Sequence, residues 1–212
     1  MDIVVGTRNA GKLKEIEAVF AELGTGARIL GLDAFPDLPG IPEPGRTFEE
    51  NALYKARSVA WHTGLVCLAD DSGLEVDALN GEPGVFSARY SGPGASDEEN
   101  NAKLLAAMED APFSRRTARF RCVLATCTPT GEYFLARGAW EGMIALEPRG
   151  GHGFGYDPVF YDPELELTAA EIPLDKKNER SHRGRALRDF AAKWPEFANK
   201  NLDQGTSAPD RE

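Results

Sequence analysis

The sequence predicts an α/β fold, because short β-branched or apolar runs alternate with helix-length segments whose apolar residues recur every three or four positions. Residues 3–5, Ile-Val-Val, form one such run, and beyond the break at Gly6 come Leu13, Ile16, Val19, Phe20 and Leu23 at helical spacing. Two capping signatures, Thr47 to Glu50 and Ser96 to Glu99, mark further helix starts.

Taken in order, Gly24 and Gly26 end the first helix, and the Pro- and Gly-rich stretch 35–45 is a loop. Thr47 then opens a helix expected over 48–62, with the Thr47 and Glu50 side chains each satisfying the other's backbone donor. Residues 65–69 predict a strand that stops at a turn, Asp70-Asp71-Ser72-Gly73, and resumes through Leu74, Val76 and Ala78. Ser96 opens a helix whose apolar face is Ala102, Leu104, Leu105 and Met108. Residues 120–126 and 133–140 read as strands joined by a hairpin through Thr128-Pro129-Thr130-Gly131, with a third strand at 142–146 and another at 159–161. Ser181 caps a last helix with Ala186, Leu187, Phe190 and Trp194 as its buried stripe. The domain is expected over residues 1–198, with 199–212 a disordered polar tail.

A hydrophobic content of 42% is enough to bury a core. No run approaches the roughly eighteen apolar residues of a membrane helix, and the N-terminus lacks a signal peptide's basic flank and apolar stretch, so a cytoplasmic address and no membrane partner are expected. Cys67, Cys122 and Cys127 lie in apolar stretches without a C-x-x-C pair and read as reduced core thiols. The net charge of −10 argues against a nucleic-acid partner. One segment runs the other way. From Asp175 to Arg188, only Asp175 and Glu179 offset Lys176, Lys177, Arg180, His182, Arg183, Arg185 and Arg188, a compact cationic patch suited to a small anion.

Three groups of residues can carry chemistry. Gly6-Thr7-Arg8-Asn9-Ala10-Gly11-Lys12 matches the first seven positions of a P-loop between a strand and a helix, where backbone donors and the Lys12 ammonium can cradle phosphate. Position eight is Leu13, not the Ser or Thr a P-loop uses for magnesium, so any metal must be held elsewhere. Asp70-Asp71-Ser72-Gly73, with Glu43, Glu49 and Glu50 upstream, offers the few carboxylates that magnesium takes alongside phosphate oxygens and water. Adjacent strand residues point to opposite faces, so one of the two aspartates is expected to face the ligand. Finally, the aromatics of Gly153-Phe154-Gly155-Tyr156-Asp157-Pro158 can stack on a purine, while the His and Arg of Ser181-His182-Arg183-Gly184 can donate to a 6-oxo group. A 6-amino purine would leave such donors unpaired.

In this order, T-R-N-A-G-K at residues 7–12, T-F-E-E-N-A at 47–52, A-D-D-S-G at 69–73, P-G-V-F-S-A-R-Y-S-G at 83–92, G-F-G-Y-D-P and S-H-R-G resemble the inosine triphosphate pyrophosphatase family. The resemblance, over about residues 1–195, implies hydrolysis of non-canonical purine nucleoside triphosphates (ITP, dITP, XTP) to monophosphate and pyrophosphate. It implies a two-lobed α/β fold on a long mixed sheet flanked by helices, the active site in the cleft, Mg2+ as cofactor and a homodimer. By matching motif it implies triphosphate binding by Thr7, Arg8, Asn9, Ala10, Gly11 and Lys12, with Asp71 as general base and metal ligand, Glu43 as the second metal ligand and Ser72 on substrate. Phe154, Gly155, Tyr156 and Asp157 would line the base pocket, Lys177 would reach phosphate, and His182 with Arg183 would read the 6-oxo edge. Family members commonly have Gly where this chain has Arg8, whose role stays open. Two other readings stand beside this one. A P-loop ATPase releasing orthophosphate is opposed by Leu13, and a nucleotide-binding module without turnover is opposed by the acidic surface.

Overall fold

The β-branched run at the N-terminus becomes a central strand. In the computed structural model, which describes residues 1–23 and 26–202, β1 (Asp2–Val5), β2 (Arg28–Leu30), β3 (Val66–Val76), β4 (Thr117–Cys127), β5 (Tyr133–Ile144), β6 (Phe160–Asp162) and β7 (Leu167–Thr168) form one sheet in the order β2-β1-β3-β4-β5-β6-β7. β1 pairs parallel with β2 and β3, and every pairing from β3 to β7 is antiparallel. The helices are α1 (Ala10–Leu23), α2 (Phe48–Thr63), α3 (Asp97–Ala107), α4 (Leu174–Arg180) and α5 (His182–Asn201).

Strand alternation sends residues to two faces. Ile3, Val5, Val66 and Leu68 pack under Ile16 and Phe20 of α1 and under Leu187, Phe190 and Trp194 of α5. Val4, Cys67 and Ala69 face the other way, against Phe48, Ala52, Ala56 and Val59 of α2. A third cluster covers the far halves of β3, β4 and β5, where Leu74, Phe120, Trp140 and Phe160 meet Leu104 and Met108 of α3. The three cysteines are buried free thiols. No described helix is long and apolar enough to cross a membrane.

The structure departs from the sequence reading in several places. Asp70 to Gly73 is no turn: β3 runs unbroken for eleven residues, with Asp70, Asp71, Ser72 and Gly73 in register opposite Leu124, Val123, Cys122 and Arg121. Likewise 142–146 is not a separate strand, because β5 continues through Gly142 to Ile144. Glycines at 138 and 142 permit this, since a Cβ would lie 2.0 Å from the His182 carbonyl oxygen at the first and 2.5 Å from the Phe160 ring at the second. The Thr47 capping box is half made: Thr47 Oγ1 accepts from Glu50 N at 3.1 Å, but Glu50 Oε2 takes the Arg46 N–H instead. That of Ser96 and Glu99 is complete. On α3 the buried positions include Asn100 and Asn101, while Ala102 faces solvent. Residues 199–201 belong to α5 rather than to a tail. The rest of the expected tail, 203–212, and the helix end at Gly24 lie outside the described residues.

Candidate active site

The site forms where β1 stops and β3 does not. The last β1–β3 partners are Val5 and Leu68, and Gly6 N–H donates to the Leu68 carbonyl at 2.8 Å. From there the β1 side of β3 is open, and the loop into α1 lies across it. Gly6 allows that approach, since a Cβ would sit 3.0 Å from Ala69 Cβ.

The loop satisfies most of its own donors. Asn9 Oδ1 accepts from Gly11 N at 2.9 Å and Lys12 N at 3.1 Å, and Thr7 Oγ1 accepts from Asn9 N at 3.2 Å. Two of the backbone donors expected to cradle phosphate are thus already taken, because the Asn9 carboxamide caps the helix start. Lys12 is also paired, its Nζ 2.8 Å from Asp70 Oδ2. Arg8, whose role the sequence left open, donates to the Leu38 carbonyl at 3.3 Å and ties the loop to the 35–45 segment. Ala10 begins α1.

Alternation along β3 divides the two aspartates. Asp70 points with Ser72 toward α1 and α5, where Ser72 Oγ donates to Asp70 Oδ2 and accepts from Arg183 Nη2, both at 3.1 Å. Burial alone would raise the Asp70 carboxyl, but Lys12, Arg183 and Lys55 outweigh it and hold it well below the usual carboxylate range. Asp71 points toward α2, lines the cleft and accepts from Asn51 Nδ2 at 3.0 Å. Here burial wins, helped by repulsion from Glu43, and Asp71 is raised above its ordinary value. Lys55 joins the acids, its Nζ 2.7 Å from Glu43 Oε1 and 3.6 Å from Asp71 Oδ1. Burial also pushes Glu43 up, yet Lys55 and Arg89 more than offset it, so Glu43 titrates low.

The far wall carries the aromatic loop and the start of α5. The Phe154 ring packs on Gly11, where a Cβ would come within 2.9 Å of it. Tyr156, expected as a free stacking ring, is instead buried, its hydroxyl donating to the Ser87 carbonyl at 2.9 Å, although it still lines the cleft. Asp157 accepts from Phe154 N at 2.9 Å and Lys177 Nζ at 2.5 Å. His182 stacks on Phe120 with centroids 4.7 Å apart. Burial, reinforced by Arg183 and Lys177, lowers it well below 6.5, so the ring is neutral. Arg183 pairs with Glu15, while Arg183 Nε and His182 Nδ1 are buried with no hydrogen-bond partner among the described residues.

One cleft thus receives Asn9, Lys12, Glu43, Asp71, Ser72 and Phe154 together with Gly155, Asp157, Lys177, His182 and Arg183. Thr7 and Arg8 line an adjoining hollow that shares Asn9, Lys12 and Glu43 with it and adds Lys55. Sequence reasoning missed Glu15, Asn51, Lys55 and Asp70 as partners of these groups. Their signal lay in the periodicity: Asn51 and Lys55 fall within the stripe of Phe48, Ala52, Ala56 and Val59, where a solvated polar residue does not belong.

Fold and site together define an α/β protein with a basic loop and a carboxylate pair facing each other across a cleft. Its family follows from comparison with known proteins. The Ham1 family model matches residues 3–193, and the chain belongs to that family. It is 57% identical over 201 residues to a dITP/XTP pyrophosphatase of Nitratidesulfovibrio vulgaris, covering 92% of this chain and 96% of the relative. A dITP/XTP pyrophosphatase of Geobacter sulfurreducens is 56% identical over 87% of this chain and 92% of its own. The structure of a HAM1 protein from Coxiella burnetii superposes with a TM-score of 0.85 at 44% identity, covering 92% of this chain and 99% of that one.

Proposed function

We propose that this chain is a magnesium-dependent pyrophosphatase that hydrolyses ITP, dITP and XTP to the nucleoside monophosphate and pyrophosphate, acting as a cytosolic homodimer. The observation that carries the reading is the placement of Lys12 and Asp71 in one cleft with the neutral His182 and with Arg183. A 6-oxo purine offers an acceptor to such donors, and a 6-amino purine does not. Membership in a family with dITP/XTP pyrophosphatases at 56–57% identity supports the same substrate class. Reduced cysteines suit the cytosol.

Among the described residues no group of three or more His, Cys, Asp or Glu could cage a metal. Glu43 and Asp71 nevertheless fit magnesium, which takes one or two carboxylates and completes its shell with water and substrate phosphates. Their two carboxylates already converge on one cation, the Lys55 ammonium. Bound there, magnesium would supply Lewis-acid polarisation of phosphoryl oxygens.

The protein's own groups do the rest. Lys12 has three donors, so it can keep Asp70 and still meet a phosphate oxygen, and Lys177 stands in the same relation to Asp157. Both cations are fixed in place beforehand, which is the condition for electrostatic preorganisation. Asp71, oriented by Asn51 and raised by burial, accepts the proton of the attacking water. Asp70, held ionised by three cations, serves as the counter-ion beneath the phosphate loop.

The test is a panel of dITP, XTP, dATP and dGTP, with and without magnesium, scored for pyrophosphate and orthophosphate. Pyrophosphate from dITP and XTP is expected, with Asp71→Asn slower by at least about a hundredfold. Orthophosphate as the product would transfer the protein to the ATPase class, and magnesium-independent binding without turnover would make it a nucleotide-binding module.

A further inference from the structure

Helix α3 grips one residue of the aromatic loop by both its N–H and its carbonyl. Asp97 and Asn101, four residues apart on one helix face, are positioned by the Ser96 capping box that fixes where the helix begins. Asp97 Oδ2 accepts from Gly155 N at 2.6 Å, and Asn101 Nδ2 donates to the Gly155 carbonyl at 2.9 Å. Gly155 has a φ of +64°, in the left-handed region, so its two peptide groups are aimed by an unusual backbone conformation that the two side chains hold. Its neighbours are Phe154, whose ring rests on Gly11, and Tyr156, hydrogen-bonded to Ser87; two residues on, Asp157 secures Lys177. Between Asp97 and Asn101 on the helix, Asn100 accepts from Ser91 N at 2.8 Å and so anchors the same helix to the wall carrying Ser87.

We infer that Asp97 and Asn101 are positioning residues that set the choice of purine, by clamping Gly155 so that Phe154 and Lys177 keep their places beside His182 and Arg183 on the far wall of the cleft. Neither side chain needs to touch the base for this. The assignment rests on the proposed pyrophosphatase reading, and goes beyond it in placing selectivity partly on helix α3, whose Asp97 and Asn100 border the same cleft. Misplacing a pocket wall by an ångström weakens ground-state binding and blurs discrimination between bases.

The experiment compares wild type, Asp97→Ala, Asn101→Ala, the double variant and Asp97→Asn for pyrophosphate release from dITP and dATP, with thermal unfolding measured in parallel. The two alanine variants are expected to raise KM for dITP about tenfold and to cut the dITP-over-dATP ratio of kcat/KM by a similar factor, with kcat changed less than about twofold. Asp97→Asn, whose carboxamide oxygen can still accept from Gly155, should restore most of the ratio. The double variant should be little worse than the worse single one, because both side chains hold the same residue. Changes confined to Tm and kcat, with KM and the ratio at wild-type values, would overturn the clamp and leave α3 a purely structural helix. Asp97 is on the surface, so its variants fold even if Asn101→Ala does not. Wild-type protein that releases no pyrophosphate from dITP defeats the functional reading and the clamp together, whereas an active wild type with undisturbed variants defeats the clamp alone.

Discussion

The residue whose protonation most constrains the site is His182. Burial lowers its pKa well below 6.5, and Arg183 and Lys177 add repulsion against the imidazolium. Below pH 6.5 the unfolded chain takes up a proton that the folded protein refuses, so acid draws the equilibrium toward unfolding. The stability tied to the neutral ring is therefore complete above the unfolded pKa and declines as the pH falls below it. Urea midpoints measured between about pH 7.5 and 5.5 should fall in wild type and fall less steeply in His182→Gln. Equal slopes in the two proteins would remove His182 as the source. The same neutrality serves recognition, since an imidazole with one N–H and one lone pair can donate to an oxo group without carrying charge into the pocket.

At the scale of elements, helix α5 delivers His182 and Arg183 only because β5 lets it come close. A Cβ at Gly138 would lie 2.0 Å from the His182 carbonyl oxygen and 2.5 Å from Ala186 N, so Gly138→Ala must push the first turn of α5 off the sheet. A loss on the order of 3 kcal/mol is expected, with KM for dITP raised along with it because the displaced turn is the one that lines the cleft. A variant with wild-type Tm and KM would show that α5 can tilt freely. Elements of this kind were legible in the sequence where one local signal sufficed. The caps at Thr47, Ser96 and Ser181 located three helices, and Leu187, Phe190 and Trp194 gave the buried face of the last. The reading failed at Asp70 to Gly73, a composition that locally favours a turn. The chain stays extended there because distant cations, Lys12 and Arg183 on one face and Lys55 on the other, neutralise the acids, and because Ser87 and Gly84 close over Gly73 too tightly for any side chain. Asn9 as a cap for its own loop was equally out of reach, since the match to a phosphate-binding pattern and the match to a self-capped helix use the same letters.

Over the whole molecule, the long strands β3, β4 and β5 thread two packed regions. Their near halves meet α1, α2 and α5, their far halves meet α3 and the 150–172 segment, and Asp70 to Gly73 occupies the waist between. A cleft between separate domains would let each half melt alone; here the backbone ladder of β3 and β4 is continuous through the waist, in register from Cys67 and Cys127 to Val76 and Ala118. Losing either half would leave the other with half-paired strands and exposed apolar faces, so residues 1–198 are expected to unfold in one cooperative step. The tryptophans provide the probes, because Trp140 is buried in the far core and Trp194 in the near one, while Trp61 is exposed. In two single-tryptophan variants, one keeping Trp140 and the other Trp194, the urea midpoint by fluorescence should coincide with that variant's own midpoint by far-ultraviolet circular dichroism. A fluorescence transition that precedes the loss of secondary structure in either variant would mean that the halves come apart at the waist. Substrate closure would then be a motion between two independent bodies, and the fixed pairing of Lys12 with Asp70 could not by itself hold the phosphate loop against the carboxylates it must serve.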